Sequence, residues 1–405
     1  MRGAHAENLE GWCLMDASTL KEIPIIDVDS HVVEPPDLWS SRMASKWRDQ
    51  TPRVRWDDEA NEEAWFLGEQ RLSPAGSAGQ AGWPEYAPLH PPRYEDTAVE
   101  TRDPESRTDW MDRYGIATQV LYPNVAMFSS GAMQKCDPGA RLAQVQAYND
   151  YQTDYAASAP GRYVAITSLP FWDLDETLAE IDRCADLDHR GINFTQDPAS
   201  FGLPALGDPH WDPMWASAQE KGVPVNFHIA SGDISLLSNT GHESAGLHAN
   251  YASIGVSFFM GNARTIAQVI CSGICHRFPD LKFVSVESGI GWIPFALDSL
   301  DWQWQNCGVH LEHPEYELLP SEYFKRQMYG CFWFEREGLS YAIERIGADN
   351  VLYETDFPHP TSMSPGTHTA AVDPDHFVRE AFADQPEDVA RKVLHDNAAA
   401  LYGID

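Results

Sequence analysis

Eight short runs rich in β-branched and aromatic residues recur along the chain, at 24–31, 117–123, 163–170, 191–196, 224–230, 282–288, 329–335 and 350–358. Each is bounded by Gly or Pro, and stretches with helical periodicity lie between them, at 107–115, 140–160, 175–188, 211–222, 263–279 and 339–347. Runs that are apolar along most of their length suit strands covered on both faces, and parallel strands need helical crossovers. The alternation therefore predicts an α/β fold with a parallel sheet. Eight repeats point to a closed (β/α)8 TIM barrel rather than an open sheet.

Two insertions interrupt the alternation. Residues 42–98 follow the first strand and include a predicted hairpin at 53–72; residues 231–261 follow the fifth. Both come after the C-terminal ends of strands, the face on which barrel enzymes build their sites, so they are expected to form lids and substrate walls. The organisation read from this pattern is a polar leader over 1–22 and one barrel domain over 23–405.

Charge narrows the partners. The 61 Asp and Glu against 28 Lys and Arg give a net charge of −33, and no Lys/Arg-rich run could track phosphates, which excludes a nucleic-acid role. An anionic substrate would need a metal or a few Arg residues to offset that field. The seven cysteines are scattered, and Cys271/Cys275 lacks a second close pair of zinc-site type, which fits a reducing cytoplasm. The N-terminus has no signal-type apolar core and no run approaches the ~18–20 apolar residues of a membrane span. A cytoplasmic protein without membrane contact is expected, acting on a small molecule. A homo-oligomer is also expected, with the aromatic-rich 301–334 stretch as its contact surface.

The stretch "IPIIDVDSHVVEPPDLW" (23–39) follows a buried strand with Asp27, Asp29, His31 and Glu34. The other strand ends explain why. The fifth strand ends in His228, the sixth in Glu287 and Ser288, and the eighth in Asp356 followed by His359. Asp29 and His31 are two apart in extended chain and so share a face. Two histidines and two carboxylates on one rim make a mixed nitrogen and oxygen site for a divalent Zn, Mn or Fe ion. Glu34 reads either as a partner orienting His31 or as an ordinary strand-exit turn. His242 and His248 could reach the site from the second insertion, and Asn193 occupies a further rim position. Trp292 and the aromatics of 332–334 are expected in the core.

These motifs also carry a resemblance. The stretches "DVDSHVVEP", "GVPVNFHIASG", "HRFPDLKFVSVESGIGWIP", "VLYETDFPHP" and "NAAALYGID" resemble the amidohydrolase-related metal-dependent barrels, the group that contains aminocarboxymuconate semialdehyde decarboxylase and aromatic-acid decarboxylases. The resemblance implies a distorted barrel with Asp29, His31, His228 and Asp356 binding the metal directly. It also implies that Asp356 takes or delivers a proton, with Glu287 or His359 completing the transfer. One departure stands out: decarboxylases of the group carry His-Gly at the end of strand six, where this chain has Val286-Glu287-Ser288-Gly289. Glu287 then either takes over acid/base work or turns to the metal. Two chemistries follow. One is metal-dependent decarboxylation or hydrolysis of a small carboxylated or carbonyl compound. The other is a dinuclear iron or manganese monooxygenase on the same fold, since six donors exceed what one ion needs.

Overall fold

The computed structural model describes residues 20, 22–125, 130–232 and 243–404. In chain order the strands are β1 (Ile25–His31), β2 (Arg53–Asp57), β3 (Glu62–Leu67), β4 (Gln70–Pro74), β5 (Ile116–Tyr122), β6 (Tyr163–Ala165), β7 (Thr167–Ser168), β8 (Ile192–Asn193), β9 (Val225–His228), β10 (Phe283–Val286), β11 (Met328–Phe332) and β12 (Val351–Tyr353). All eight expected barrel runs form strands. The third is broken at Ile166 into β6 and β7, and the free Ile166 amide donates instead to Oε1 of Gln152 at 3.1 Å.

Parallel pairing runs β1–β5–β6 and then β7–β8–β9–β10–β11–β12. The circuit closes just past β12, where Ser30 bridges Phe357 in parallel register. The His31 amide donates to Phe357 O at 2.7 Å and the Asp356 amide to Asp29 O at 3.0 Å. Arg107, fully buried, spans this seam from outside. It donates to His31 O at 2.5 Å, to Phe357 O at 3.4 Å and to Oε1 of Gln119 at 2.7 Å. The fold is thus a distorted (β/α)8 barrel, as the strand count implied. The helices start where the sequence supplies caps: Asp103 accepts from the Ser106 amide to open Pro104–Arg113, and Asp173 from the Glu176 amide to open Leu174–Asp186.

A bulge in β1 decides what the barrel interior contains. Asp27 pairs with Gln119 and Ser30 with Leu121, so three steps on β1 face two on β5. One extra residue reverses the in-out alternation. Ile26 and Val28 consequently join the inner apolar cluster with Val120, Val164, Val284 and Leu352, while Asp29 and His31, of the opposite parity, also turn inward above them. Below, Ala398, Leu401 and Tyr402 of the helix Asn397–Tyr402 plug the other end. The Tyr402 hydroxyl donates to Oδ1 of Asn226 at 2.8 Å.

The insertions differ from expectation in detail. The first is a three-stranded antiparallel sheet, β2–β3–β4, rather than a hairpin, because Gly68, at a φ of 59°, turns the chain back once more after β3. The second includes 233–242, which lies outside the described residues together with His242. From Leu247 the chain is helical without interruption to Cys271, so the helix expected to start at 263 begins 16 residues earlier than that estimate, inside the insertion. Gly255 and Gly261 disguised it in the sequence, since glycine weakens a helical pattern. By length and composition this helix is apolar enough to cross a membrane, an exception to the expectation that no such segment exists. Its C-terminal half buries Asn262, Thr265, Ile266 and Val269. Asn262 donates to Phe227 O at 3.1 Å and Val286 O at 3.2 Å, tying the helix to β9 and β10.

The six cysteines among the described residues are unpaired. Trp302 and Leu311, in the stretch expected to carry an oligomer contact, are exposed. The leader lies outside the described residues except for Leu20 and Glu22.

Candidate active site

The barrel brings together every residue expected at the metal. His31 Nε2 lies 3.1 Å from His228 Nε2, 3.4 Å from Asp29 Oδ1 and 3.6 Å from Asp356 Oδ1. His228 Nε2 lies 3.0 Å from Glu287 Oε2 and 3.5 Å from Asp29 Oδ1. His228 donates through Nδ1 to Ile229 O at 2.8 Å, which leaves Nε2 to face His31. Two imidazole nitrogens this close need a proton or a cation between them. A separation near 3 Å is that of two ligands each about 2.0–2.1 Å from one shared ion.

The oxygens say the same. Both carboxylate oxygens of Asp29 and both of Asp356 are buried with no hydrogen-bond partner, which would be costly unless something positive holds them. The donors form two overlapping groups: Asp29, His31, His228 and Glu287 in one, His31, Glu287, Asp356 and His359 in the other, with ligand atoms within 4.8 Å. A divalent cation fits this set.

Backbone strain marks the same places. Glu287 and Asp356 sit in the left-handed region at φ 57° and 55°, which non-glycine residues rarely adopt outside functional sites. Each is held there by its amide, Glu287 N donating to Oε2 of Glu354 at 3.0 Å and Asp356 N to Asp29 O. Gly289, two residues on, is also left-handed, and a Cβ there would collide with the carboxylate of Glu335.

Of the two readings of Glu34, the contact with His31 does not form. Its carboxylate accepts from the amides of Asn124 at 2.8 Å and Val125 at 3.1 Å, and from Nδ2 of Asn124 at 3.1 Å. Nδ2 of Asn124 also donates to Val32 O at 2.8 Å, so Oδ1 is turned toward His359 Nε2 at 2.5 Å. His359 therefore carries its proton on Nε2 and presents the lone pair of Nδ1 to Asp356 Oδ1, 2.8 Å away. Sequence reading missed Asn124, although it stands at the end of the second barrel strand, where the same rim rule applies. It missed Tyr251 for want of any signal, and Arg107 and Glu354 because they act from behind the site.

His248 reaches Ala87 O at 2.7 Å and lines an outer cavity, not the donor cluster. Asn193 is buried on β8, its Oδ1 without a hydrogen-bond partner. Trp292 is half-buried, its Nε1 donating to Ser288 O at 3.0 Å. Phe332 is core, as expected. Trp333 is also buried in the core, as expected, and lines the inner cavity, whereas Phe334 is exposed and lines the outer one. The inner cavity, of about 400 Å³, has Glu287 and His359 on its floor and Trp65, Leu72, Phe258 and Phe259 in its wall. The outer cavity, of about 810 Å³, joins it at Tyr251 and His359.

Without a cation the site stores protons. Burial pushes Glu287 up to about 8, and burial with the neighbouring carboxylates Glu287 and Asp29 holds Asp356 well above the usual range. Burial opposes protonation of His228, but Asp29 and Glu287 outweigh it and raise the group to about 9. Burial lowers His31 to about 4 and His359 further below its ordinary value. Burial also works against ionising Asp29, but His228 and His31 together hold its carboxyl low.

These directions give a stability test. Glu287 and His228 have folded values above their ordinary 4.5 and 6.5. Each therefore adds stability that is complete below the ordinary value and lost as pH rises through the folded one. Both are falling between pH 6.5 and 8, whereas the opposite contribution of His31 is complete by 6.5. A cation displaces the His228 proton and supplies the balancing charge at the carboxylates. Chelator-treated protein is therefore expected to lose on the order of 1 kcal/mol per pH unit across that window, while metal-loaded protein stays nearly level. Parallel thermal-unfolding curves for the two forms would remove the cation from this account.

A mixed His and carboxylate centre on the C-terminal rim of a (β/α)8 barrel defines a metal-dependent enzyme of the hydrolase or carboxy-lyase type. Residues 26–404 match the amidohydrolase family (Amidohydro_2), and the chain belongs to it. It is 25% identical over 311 residues to the gamma-resorcylate decarboxylase of Polaromonas sp. strain JS666, covering 74% of this chain and 87% of that one. Among solved structures it is similar to an amidohydrolase from Mycobacterium avium subsp. paratuberculosis K-10, with 21% identity, a TM-score of 0.72 and coverage of 94% and 100%. It is also similar to a dihydroxybenzoic acid decarboxylase from Polaromonas sp. JS666 with bound manganese and 2-nitroresorcinol, with 19% identity, a TM-score of 0.62 and coverage of 94% and 96%.

Proposed function

We propose that the chain is a metal-dependent decarboxylase of a carboxylated aromatic compound, and that a single barrel domain over 23–405 carries the whole site. The observation behind this reading is the cluster of unpartnered buried carboxylate oxygens beside a cavity walled by aromatic side chains. Asp29, His31, His228 and Asp356 would hold the ion, with Glu287 at its edge. When bound there, a divalent cation supplies the positive charge on which a substrate oxygen can rest in an otherwise anionic site.

The chain's own residues then manage the proton. Asp356 is fully buried, whereas Glu287 reaches the cavity. Glu287 is therefore the group that meets the substrate, taking the place of the histidine found at this point in related decarboxylases. As the bond between ring and carboxylate breaks, its electron pair stays on the ring carbon and captures the Glu287 proton, and carbon dioxide leaves. Glu287, which lines the cavity, then regains its proton from solvent. Asn124 fixes the orientation of His359, which stands beside Asp356.

The test is carbon dioxide release under anaerobic conditions by manganese-loaded protein given hydroxylated benzoates, with ions counted per chain. Release without oxygen supports the reading. The overlapping donor groups leave room for a second ion, but the decarboxylases named above lend oxygenation no support. Oxygen uptake with no carbon dioxide release would overturn decarboxylation.

A further inference from the structure

The inner cavity is divided by chemistry. Its floor, at Glu287 and His359, adjoins the donor cluster; its wall is mostly carbon, from Trp65, Leu72, Ile254, Phe258, Phe259 and Trp333, with neutral polar groups such as Ser77, Gln80 and Tyr251. No Lys or Arg lines it among the described residues, and the segments 126–129 and 233–242 contain neither in their sequences. Two buried or neighbouring arginines and the ionisable lining groups His90 and Glu34 are engaged elsewhere. Arg336 lines only the outer cavity and pairs with Glu380 at 3.1 Å. Arg107 is spent on the barrel seam. His90 uses Nδ1 on Pro88 O at 2.9 Å and Nε2 on Glu62 at 2.7 Å, and the Glu34 carboxylate is filled by Asn124 and Val125.

Resting on the decarboxylase reading, we infer that the substrate is an aromatic monocarboxylate whose remainder is uncharged and larger than one ring. One carboxylate can settle on the cation at the floor. A second would face carbon and neutral polar groups with no free cation among the described lining residues to neutralise it, in the field of a chain carrying −33 charges. Size points the same way. A cavity of about 400 Å³ falls in the range that encloses drug-sized ligands, ~300–1,000 Å³, more than a single-ring acid fills. Ser77 and Gln80, also in the lining, can accommodate a neutral polar substituent.

The test is calorimetric binding to manganese-loaded protein of 2-hydroxybenzoate, 1-hydroxy-2-naphthoate, 4-hydroxyisophthalate and 1-naphthol. The naphthoate is expected to bind at least about tenfold more tightly than 2-hydroxybenzoate, through the extra apolar area. The isophthalate, which adds one charge to 2-hydroxybenzoate, is expected to bind at least about tenfold more weakly. Leu72→Arg, or Ser77→Lys should the first fail to fold, is expected to reverse that penalty. Equal binding of the naphthoate and 2-hydroxybenzoate, an isophthalate as tight as 2-hydroxybenzoate, or a penalty unmoved by the added cation would each overturn the inference and leave decarboxylation standing. Binding of 1-naphthol with none of the acids would instead overturn the decarboxylase reading and keep the apolar wall. Binding of none of the four would overturn both.

Discussion

His228→Ala is expected to yield a folded barrel that purifies without its metal and has no measurable turnover. The imidazole fills the gap between His31, Asp29 and Glu287, and it is the only one of the clustered donors that comes from β9. Removing it leaves two carboxylates near each other with no group between them to offset their charge. Replacing a residue that merely orients a ligand costs roughly 10–100-fold in metal affinity or activity, so loss of a ligand should exceed that. Elemental analysis alongside circular dichroism checks the outcome. A folded variant with full metal content would show that the ion is held by other residues.

Glu287→Gln is expected to keep the metal and lose turnover by about 10²–10⁴-fold, the range typical of a lost general acid. Glutamine preserves the shape and can still face His228, but it has no proton to give to a ring carbon. Binding of an unreactive analogue should change far less than kcat. If turnover survives with metal intact, the proton comes from elsewhere and Asp356 becomes the nearest source. If instead the metal is lost, Glu287 is a ligand first, the alternative that the sequence left open.

The clustered donors were legible because their signal is local. Asp29, His31, His228, Glu287 and Asp356 each stand at the end of an apolar run, and a barrel places every such end on one rim. What supports them was not legible, because it depends on contacts across the chain. Glu34 could be recognised as unusual, but its real partner, Asn124, lies 90 residues away. Arg107 reads as an ordinary helix residue until the seam between β1 and Phe357 is closed around it. The helix Leu247–Cys271 was half hidden because two glycines and scattered aromatics blur its periodicity, while packing against β9 and β10 overrides that weakness. The bulge in β1 left no mark in composition. The shared face of Asp29 and His31 followed from spacing alone, yet it does not explain how Ile26 and Val28 also point inward.

The closing seam also bears on how the protein is made. Asp27 waits for Thr355, 328 residues later, to supply the amide and hydroxyl that its carboxylate accepts. At the ~5–20 residues per second of synthesis, β1 spends roughly 15 to 60 s without its final neighbour, while its interior acids lack their partners. Asp356 and His359 emerge at the end of that interval. The complete donor cluster therefore exists only once residue 359 has left the ribosome, so an ion held by all of these donors would be acquired no earlier than that.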